Sequence, residues 1–497
     1  MKIDFYHLYR HFDSSSLLPP IMLDVLSMWS RKKGWDSRIR IAREKDIAFH
    51  TDADVVAFSV YTMTAPMSYR ASEKLRANGK IVVMGGPHFR NQNYREALGK
   101  CNAVASSISE EQWLALLTDI EAGNIEPGGS RTRSIIDSNH DFRYPDGLYE
   151  SSSFHRWHHV PCVPTTVGCP YGCDYCGPLM SGRYVERDPA AIQRDMAHVK
   201  SRVIVIPDAS FGLNKNHVLE IMNAIAPLKK KFYVTTTLAR IADRELLRAL
   251  AHGGVRAIAV GIETLRGKLQ KHGNILSRED LTELIRDCHD LGIFIQGNFI
   301  LGLDADGPEV FDDVFDFYEK SELDIVSADV LVPYPHTPLY HTLLKQGRIV
   351  DGDWSHYDYK HVVYRPQKMS TEELRQGLAS YYKRVVESRC LMKRLGQIYS
   401  RYGLCAETGV LAAYLLFRHW EAMTKSEQFA RPPVPTCPPL CRDDSNDNGE
   451  EGITRSLGLL DPFGRIKVCR GADDLPLAED VEGHDVVARL QKLGGHG

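Results

Sequence analysis

Cys169, Cys173 and Cys176 stand in the run Gly168-Cys-Pro-Tyr-Gly-Cys-Asp-Tyr-Cys-Gly177, with three and then two residues between successive thiols. That spacing lets one short loop wrap a single cuboidal iron–sulfur cluster. A [4Fe–4S] cluster ordinarily takes four thiolates, so three from this loop leave one iron open to a further ligand. An open iron is a reaction site rather than an electron relay. The competing reading is structural zinc, with Cys162 closing a tetrahedral set. The triplet, however, follows Val160-Pro-Cys-Val-Pro-Thr-Thr-Val167, which reads as a buried strand rather than the paired turns of a zinc knuckle. A disulfide framework is disfavoured, because 11 cysteines are an odd, scattered set.

The elements that must position this loop are βα units. The stretch from about 161 to 344 alternates strand and helix six times, with strands expected at 162–167, 203–207, 232–237, 257–261, 293–301 and 325–332. Between two of them, Leu281, Leu284, Ile285, Cys288 and Leu291 recur at helical steps. Ser277 and Asp280 cap that helix and Gly292 ends it. Six such units imply an open, barrel-like parallel sheet whose site gathers at the carboxyl ends of the strands. Cys169, Asp208, Thr237, Glu263, Asp304 and Pro333 fall at those ends.

Residues 1 to about 135 show a second set of alternating units. Strands are expected at 2–8, 37–42, 54–60 and 80–84, with a helix at 71–78 ended by Gly79, the pattern of a doubly wound α/β domain. The fourth strand runs into Gly85-Gly86-Pro87-His88. Two glycines there either admit a bulky ligand close to the backbone or simply make the turn. From 346 to 430 the chain reads as mainly helical, opening on the capping box of Ser370 and Glu373, with a second apolar helix at about 407–423. The rest, 431–497, reads as a partly disordered tail in which Cys437, Cys441 and Cys469 are expected to be bystander thiols.

Composition excludes some partners. A length of 497 residues allows several domains; 43% hydrophobic and 25% charged residues are ordinary for a globular protein. A formal charge of −3 offers no whole-chain attraction to nucleic acid. No apolar run reaches membrane-spanning length, and the first ten residues lack a signal-peptide core. Free thiols without an export signal point to the cytoplasm.

With the motifs placed, the CxxxCxxC loop with Tyr175 before its last cysteine resembles the radical S-adenosylmethionine (SAM) superfamily. The order of an α/β domain, this loop and a helical end is similar to its cobalamin-binding subclass. Further segments resemble that subclass: Asp54-Val-Val-Ala-Phe-Ser59, Val82-Val-Met-Gly-Gly-Pro-His88, Gly261-Ile-Glu263, Gly297-Asn-Phe-Ile-Leu-Gly302 and Pro333-Tyr-Pro-His-Thr-Pro-Leu-Tyr340. The resemblance implies a Rossmann-like cobalamin domain, a partial (β/α)6 TIM barrel and a C-terminal helical domain. It implies a [4Fe–4S] cluster on the three cysteines, SAM on its open iron, cleavage of SAM to a 5′-deoxyadenosyl radical, and cobalamin. Tyr175 would then pack near the adenine, Asp208 near the methionine amino group, and Glu263 on the ribose or methionine. Asn298 would border the adenosine, while Ser59, Thr62, Gly85 and Gly86 would receive the corrin and its tail. The implied activity is methylation of a carbon of a small molecule in biosynthesis, with flavodoxin or ferredoxin as electron donor. A substrate pocket is expected between the barrel mouth and the cobalamin domain, bordered by Tyr334 and His336, although these two read as barrel-end packing rather than substrate ligands.

Two departures bear on this reading. Where the subclass often carries Asp-x-His-x-x-Gly, this chain has His7-Leu-Tyr-Arg-His-Phe-Asp-Ser14, so no cobalt-ligating histidine is expected from that motif. Arg70 or a water is the expectation for the lower face. Where relatives often carry Gly-Glu-Gly-Glu, this chain has Ser106-Ser-Ile-Ser-Glu110, so altered or absent corrinoid binding stays open. The rival functions are a radical cyclase or rearrangement enzyme without methyl transfer, and a non-enzymatic, metal-stabilised binding protein. Methylthio transfer is disfavoured, since only Cys101 is present to serve in the N-terminal domain.

Overall fold

The computed structural model describes residues 1–10, 21–89, 93–106, 108–126, 132–136, 144–145, 147–149, 161–176, 184–209, 211–266, 277–335 and 337–403, together with Leu415, Arg418, Ala422, Lys425 and Phe429. The chain divides into a unit of Met1–Pro438 and a unit of Pro439–Gly497. The tail cysteines, His336 and nearly all of the expected helix at 407–423 lie outside the described residues.

The first sheet is parallel throughout. It comprises β1 (Lys2–Leu8), β2 (Asp36–Ala42), β3 (Val55–Ser59), β4 (Ile81–Gly85), β5 (Ala103–Ser106) and β6 (Arg133–Ile136), in the order β2-β1-β3-β4-β5-β6. Strand order reverses at β1, and the crevice at such a reversal is where open α/β sheets hold ligands. β5 and β6 are additions to the sequence reading. The helix expected from 71 starts at Ala65, because Pro66 in its first turn needs no hydrogen-bond donor there. Tyr6, Phe58, Val82, Met84 and Val104 form a core with Leu75 of that helix.

The helix Ile21–Lys32 packs on this sheet and buries Asp24 as well as Leu23, Val25 and Trp29. Burial pushes the Asp24 carboxyl up to about 8, against a smaller opposing pull from Arg31. The folded state thus keeps a proton that the unfolded chain releases near pH 4, so stability falls as pH rises from about 4 to 8. Asp24→Asn is therefore expected to stabilise the fold by on the order of 2 kcal/mol at pH 8, with the gain vanishing near pH 4. Urea midpoints for both chains across that pH range test the sign; a constant gain would rule out titration as its source.

The second sheet is the partial barrel. Its parallel strands are β9 (Val203–Ile206), β10 (Lys231–Thr237), β11 (Val255–Glu263), β12 (Phe294–Leu301) and β13 (Ile325–Val330), in sequential order. Before it lie β7 (Thr166–Gly168) and β8 (Tyr184–Glu186), an antiparallel pair. The expected first barrel strand at 162–167 is therefore corrected. Only Cys162 bridges to Val205, supported by bonds from Val163 N to Val205 O and from Val205 N to Pro161 O, each 2.9 Å. Pro161 and Pro164 have no N–H to extend a ladder.

Beyond the barrel, the capped helix Thr371–Val386 forms as read, with Ser370 accepting from Glu373 N at 3.1 Å. The segment between Lys345 and Ser370 is not helical as expected, apart from a single turn at Trp354–His356. Ile349 pairs with Tyr364 in an antiparallel bridge, and Val350 N bonds Val363 O at 3.0 Å, so 349–364 is a loop with closed ends. Among the described residues no helix is long and apolar enough to cross a membrane.

Candidate functional site

The cysteine loop starts where β7 stops. Gly168 takes φ +79°, a left-handed conformation that glycine adopts without strain, and this turns the chain out of the strand immediately before Cys169. Cys169 and Cys173 are buried and Cys176 is half-buried, with Cys176 N bonded to Cys173 O at 3.2 Å. The loop is fixed from two sides. Leu339 N donates to Asp174 O at 3.1 Å, at the start of the helix Pro338–Lys345. Asp208, just past β9, accepts from Thr165 N at 2.8 Å and from the Thr165 hydroxyl. Burial raises the Asp208 pKa, and the Thr165 and Thr166 bonds pull it back. Asp208 thus clamps the strand feeding the loop.

Glu263 comes to the same edge from β11. A register shift between Gly261 and Glu263 precedes it, and its backbone sits at φ +67° with 8% of its surface exposed. A non-glycine residue in that region is strained, and such strain collects at functional positions. Burial and, next, the Glu263 charge push the Tyr175 phenol up, followed by the charges of Cys173 and Cys176. Glu263 therefore lies within electrostatic reach of Tyr175, although it stands 87 positions after Cys176 in the chain. Asn298 pairs with Gly261 across β11 and β12 and accepts from Gln296 Nε2 at 2.7 Å. Asp208 and Glu263 thus stand at the carboxyl ends of β9 and β11, and Asn298 lies within β12 beside Gly261.

Cys162, the fourth ligand that the zinc reading needs, is buried in the barrel wall where it bridges to Val205. Among the described residues no three His, Cys, Asp or Glu side chains, the cysteine triplet included, already converge on one point. The triplet supplies three thiols from one loop, the number that leaves one iron of a [4Fe–4S] cluster open.

The second edge, at the carboxyl ends of β3 and β4, is less open than its sequence implies. A Cβ at Gly85 would lie 2.3 Å from Ala105 O. A Cβ at Gly86, where φ is +111°, would lie 2.7 Å from both Val60 N and Val60 O. Neighbouring backbone alone thus demands both glycines. Thr62 is buried, its hydroxyl 3.3 Å from His88 Nδ1, and Ser59 is half-buried. His7 lies within β1, its ring edge-on to Tyr61 at 5.4 Å. Arg70 forks onto Glu44 at 2.9 and 2.7 Å. Ser109, in the serine-rich run, caps the helix Glu110–Glu121.

The loop 349–364 joins the two edges, and sequence reading missed it. On one side Trp354 Nε1 donates to Glu96 at 3.0 Å, its ring lies 6.2 Å from His88, and Arg10 donates to Ser355 O at 2.8 Å. On the other side Tyr359 and Tyr334 share a hydroxyl–hydroxyl bond of 2.6 Å. Burial raises the Tyr334 phenol, and the charges at Tyr359 and then Cys176 add to it. Tyr364 donates to Gly302 O and ties the base of the loop to the barrel. The available signal was Trp354, His356, Tyr357, Tyr359 and His361, an aromatic-rich run without helical period.

Comparison with known proteins agrees with this geometry. Residues 163–318 match the Radical SAM superfamily. Bacteriochlorophyllide d C-12(1)-methyltransferase of Chlorobaculum tepidum is 26% identical over 364 residues, 69% of this chain and 76% of that protein. The anaerobic magnesium-protoporphyrin IX monomethyl ester cyclase of Cereibacter sphaeroides is 22% identical over 440 residues, 79% of this chain and 71% of its own. Among solved structures, the radical SAM methyltransferase TsrM of Kitasatospora setae, with cobalamin and a [4Fe-4S] cluster bound, aligns with a TM-score of 0.54 at 16% identity. That alignment covers 86% of this chain and 99% of TsrM. The cysteine loop, the partial barrel that carries it and these matches together make residues 163–318 a radical SAM domain.

Proposed function

We propose that the protein is a cobalamin-dependent radical SAM methyltransferase acting on a carbon of a small molecule. The observation that carries this reading is the pairing of two sheet edges by one loop. The cysteine triplet stands at the barrel mouth and the β3–β4 edge at the other end, with Trp354 and Tyr359 of the same loop touching the two sides. Cys169, Cys173 and Cys176 would hold the [4Fe–4S] cluster, which supplies a single electron and an open iron when bound. Tyr175, Asp208, Glu263 and Asn298 would border SAM. Asp208 would do so while its clamp on Thr165 keeps the cysteine loop in place. Ser59, Thr62, Gly85 and Gly86 would flank a corrinoid, which supplies a transferable methyl group. His7 is buried within β1 and Arg70 is committed to Glu44, so neither is proposed as a ligand to cobalt. The chain's own work is to exclude water and hold both groups against one substrate atom.

The relatives methylate bacteriochlorophyllide d or cyclise a magnesium-protoporphyrin ester, so a cyclase is the second reading. Anaerobic reconstitution with hydroxocobalamin, then counting metals and weighing product, separates them. Methyl transfer predicts about four irons and one cobalt per chain and a product about 14 Da heavier per methyl added. A turnover product without the added methyl mass would favour the cyclase, and four irons without cobalt would leave a corrinoid-free radical enzyme. A flavodoxin or ferredoxin would be the electron source.

A further inference from the structure

Tyr359 holds an unusual position. Its backbone lies at φ +63°, where a bulky residue is strained and glycine or asparagine is the ordinary choice. Its hydroxyl is committed to Tyr334 at 2.6 Å, and the two rings meet edge-on at 6.0 Å and 74°. Yet 38% of the residue remains accessible, although aromatic rings normally bury most of their surface. The chain accepts strain to hold an aromatic ring by its polar end beside the cysteine loop while leaving part of it uncovered.

The rest of the loop repeats that chemistry. His356 and His361 stack at 4.3 Å and 25°, each oriented by a carboxylate: His356 Nδ1 donates to Asp351 at 2.7 Å and His361 Nδ1 to Asp358 at 2.9 Å. Asp358 and Asp351 in turn accept from backbone N–H groups of Lys360 and Asp353, both at 2.9 Å, so the flat groups are fixed before anything binds. Fixed aromatic faces recognise flat π systems by stacking, at little entropic cost.

We propose that Tyr359 is the platform on which a planar, conjugated part of the substrate stacks. This rests on the functional reading above, but its test does not depend on turnover. The probe is chlorophyllide a, a flat conjugated macrocycle, with cholate as a bulky anionic control that is not flat. Binding is followed by absorbance shift on the full chain with its cluster reconstituted. Wild type should bind chlorophyllide a saturably and cholate at least about tenfold more weakly. Tyr359→Phe should keep chlorophyllide affinity within about twofold. Tyr359→Gly and Tyr359→Asn should lose at least about tenfold, the usual scale for one aromatic stack. Both should melt no lower than wild type, since each residue suits φ +63°. A Tyr359→Gly chain that binds normally overturns the proposal. So do equal losses in Tyr359→Phe and Tyr359→Gly, absence of saturable chlorophyllide binding, or equal binding of cholate. A cluster-free chain that still binds chlorophyllide through Tyr359 would keep this inference even if methyl transfer failed.

Discussion

Replacing Cys169, Cys173 and Cys176 together by alanine is expected to remove the brown chromophore, broad near about 400 nm, and to reduce SAM cleavage to background. The effect is total because the described structure offers no substitute donors. Cys162 is locked in the barrel wall beside Val205, Cys101 is buried in the core against the N-terminal sheet, and Cys288 lies on the buried face of its helix. Burial pushes each of these three thiols up to about 12, far from the thiolate a cluster needs. The fold should survive, since the loop is anchored by Leu339 on Asp174 O and by Asp208 on Thr165, neither of which involves sulfur. Circular dichroism should therefore match wild type while iron falls to zero. Turnover by the triple variant would show that the reaction centre lies elsewhere.

The barrel was legible because its information is local and periodic. Leu281, Leu284, Ile285 and Cys288 recur on one helix face, Ser277 caps it, and the strands between such helices are β-branched. The cysteine loop was legible because spacing alone encodes it. What sequence could not show came from contacts between distant segments. Asp208 looks like a loop acid until Thr165, 43 residues earlier, is seen bonded to it. Glu263 acquires its strained backbone from a register shift against β12, a property of strand pairing rather than of its neighbours. The loop 349–364 carries no period, and its meaning rests on Glu96 and Tyr334, one from the first α/β sheet's domain and one from the end of the barrel. Prolines were misjudged in the other direction. The apolar run at 162–167 has strand composition, but Pro161 and Pro164 reduce it to one bridge.

Gly86→Ala is expected to separate the two edges of the site. The comparison that gives the prediction its force is Gly79. Both glycines have positive φ, +73° at Gly79 and +111° at Gly86, but a Cβ at Gly79 would meet nothing within 4 Å. Gly79→Ala should therefore cost only the conformational penalty, about 1 kcal/mol. At Gly86 the added methyl would sit 2.7 Å from Val60 N and O, backbone atoms that cannot rotate aside, so about 3 kcal/mol or more is expected. The strain has a definite route. Val60 N bonds Gly85 O at 2.7 Å and His88 N bonds Val60 O at 3.1 Å, so relief of the clash must loosen one of these ties. His88 would then lose its place against Thr62 and Trp354, the side of the site proposed to receive the corrinoid. The cysteine loop hangs from β7, Asp208 and Leu339 and shares none of these bonds. Hydrogen exchange should quicken at 55–64 and 81–89 in Gly86→Ala and stay slow at 162–176. After reconstitution, iron should hold at the wild-type ratio while cobalt falls. Equal loss of both metals would mean that the two edges unfold as one body, and unchanged cobalt would remove the β3–β4 edge from the corrinoid site.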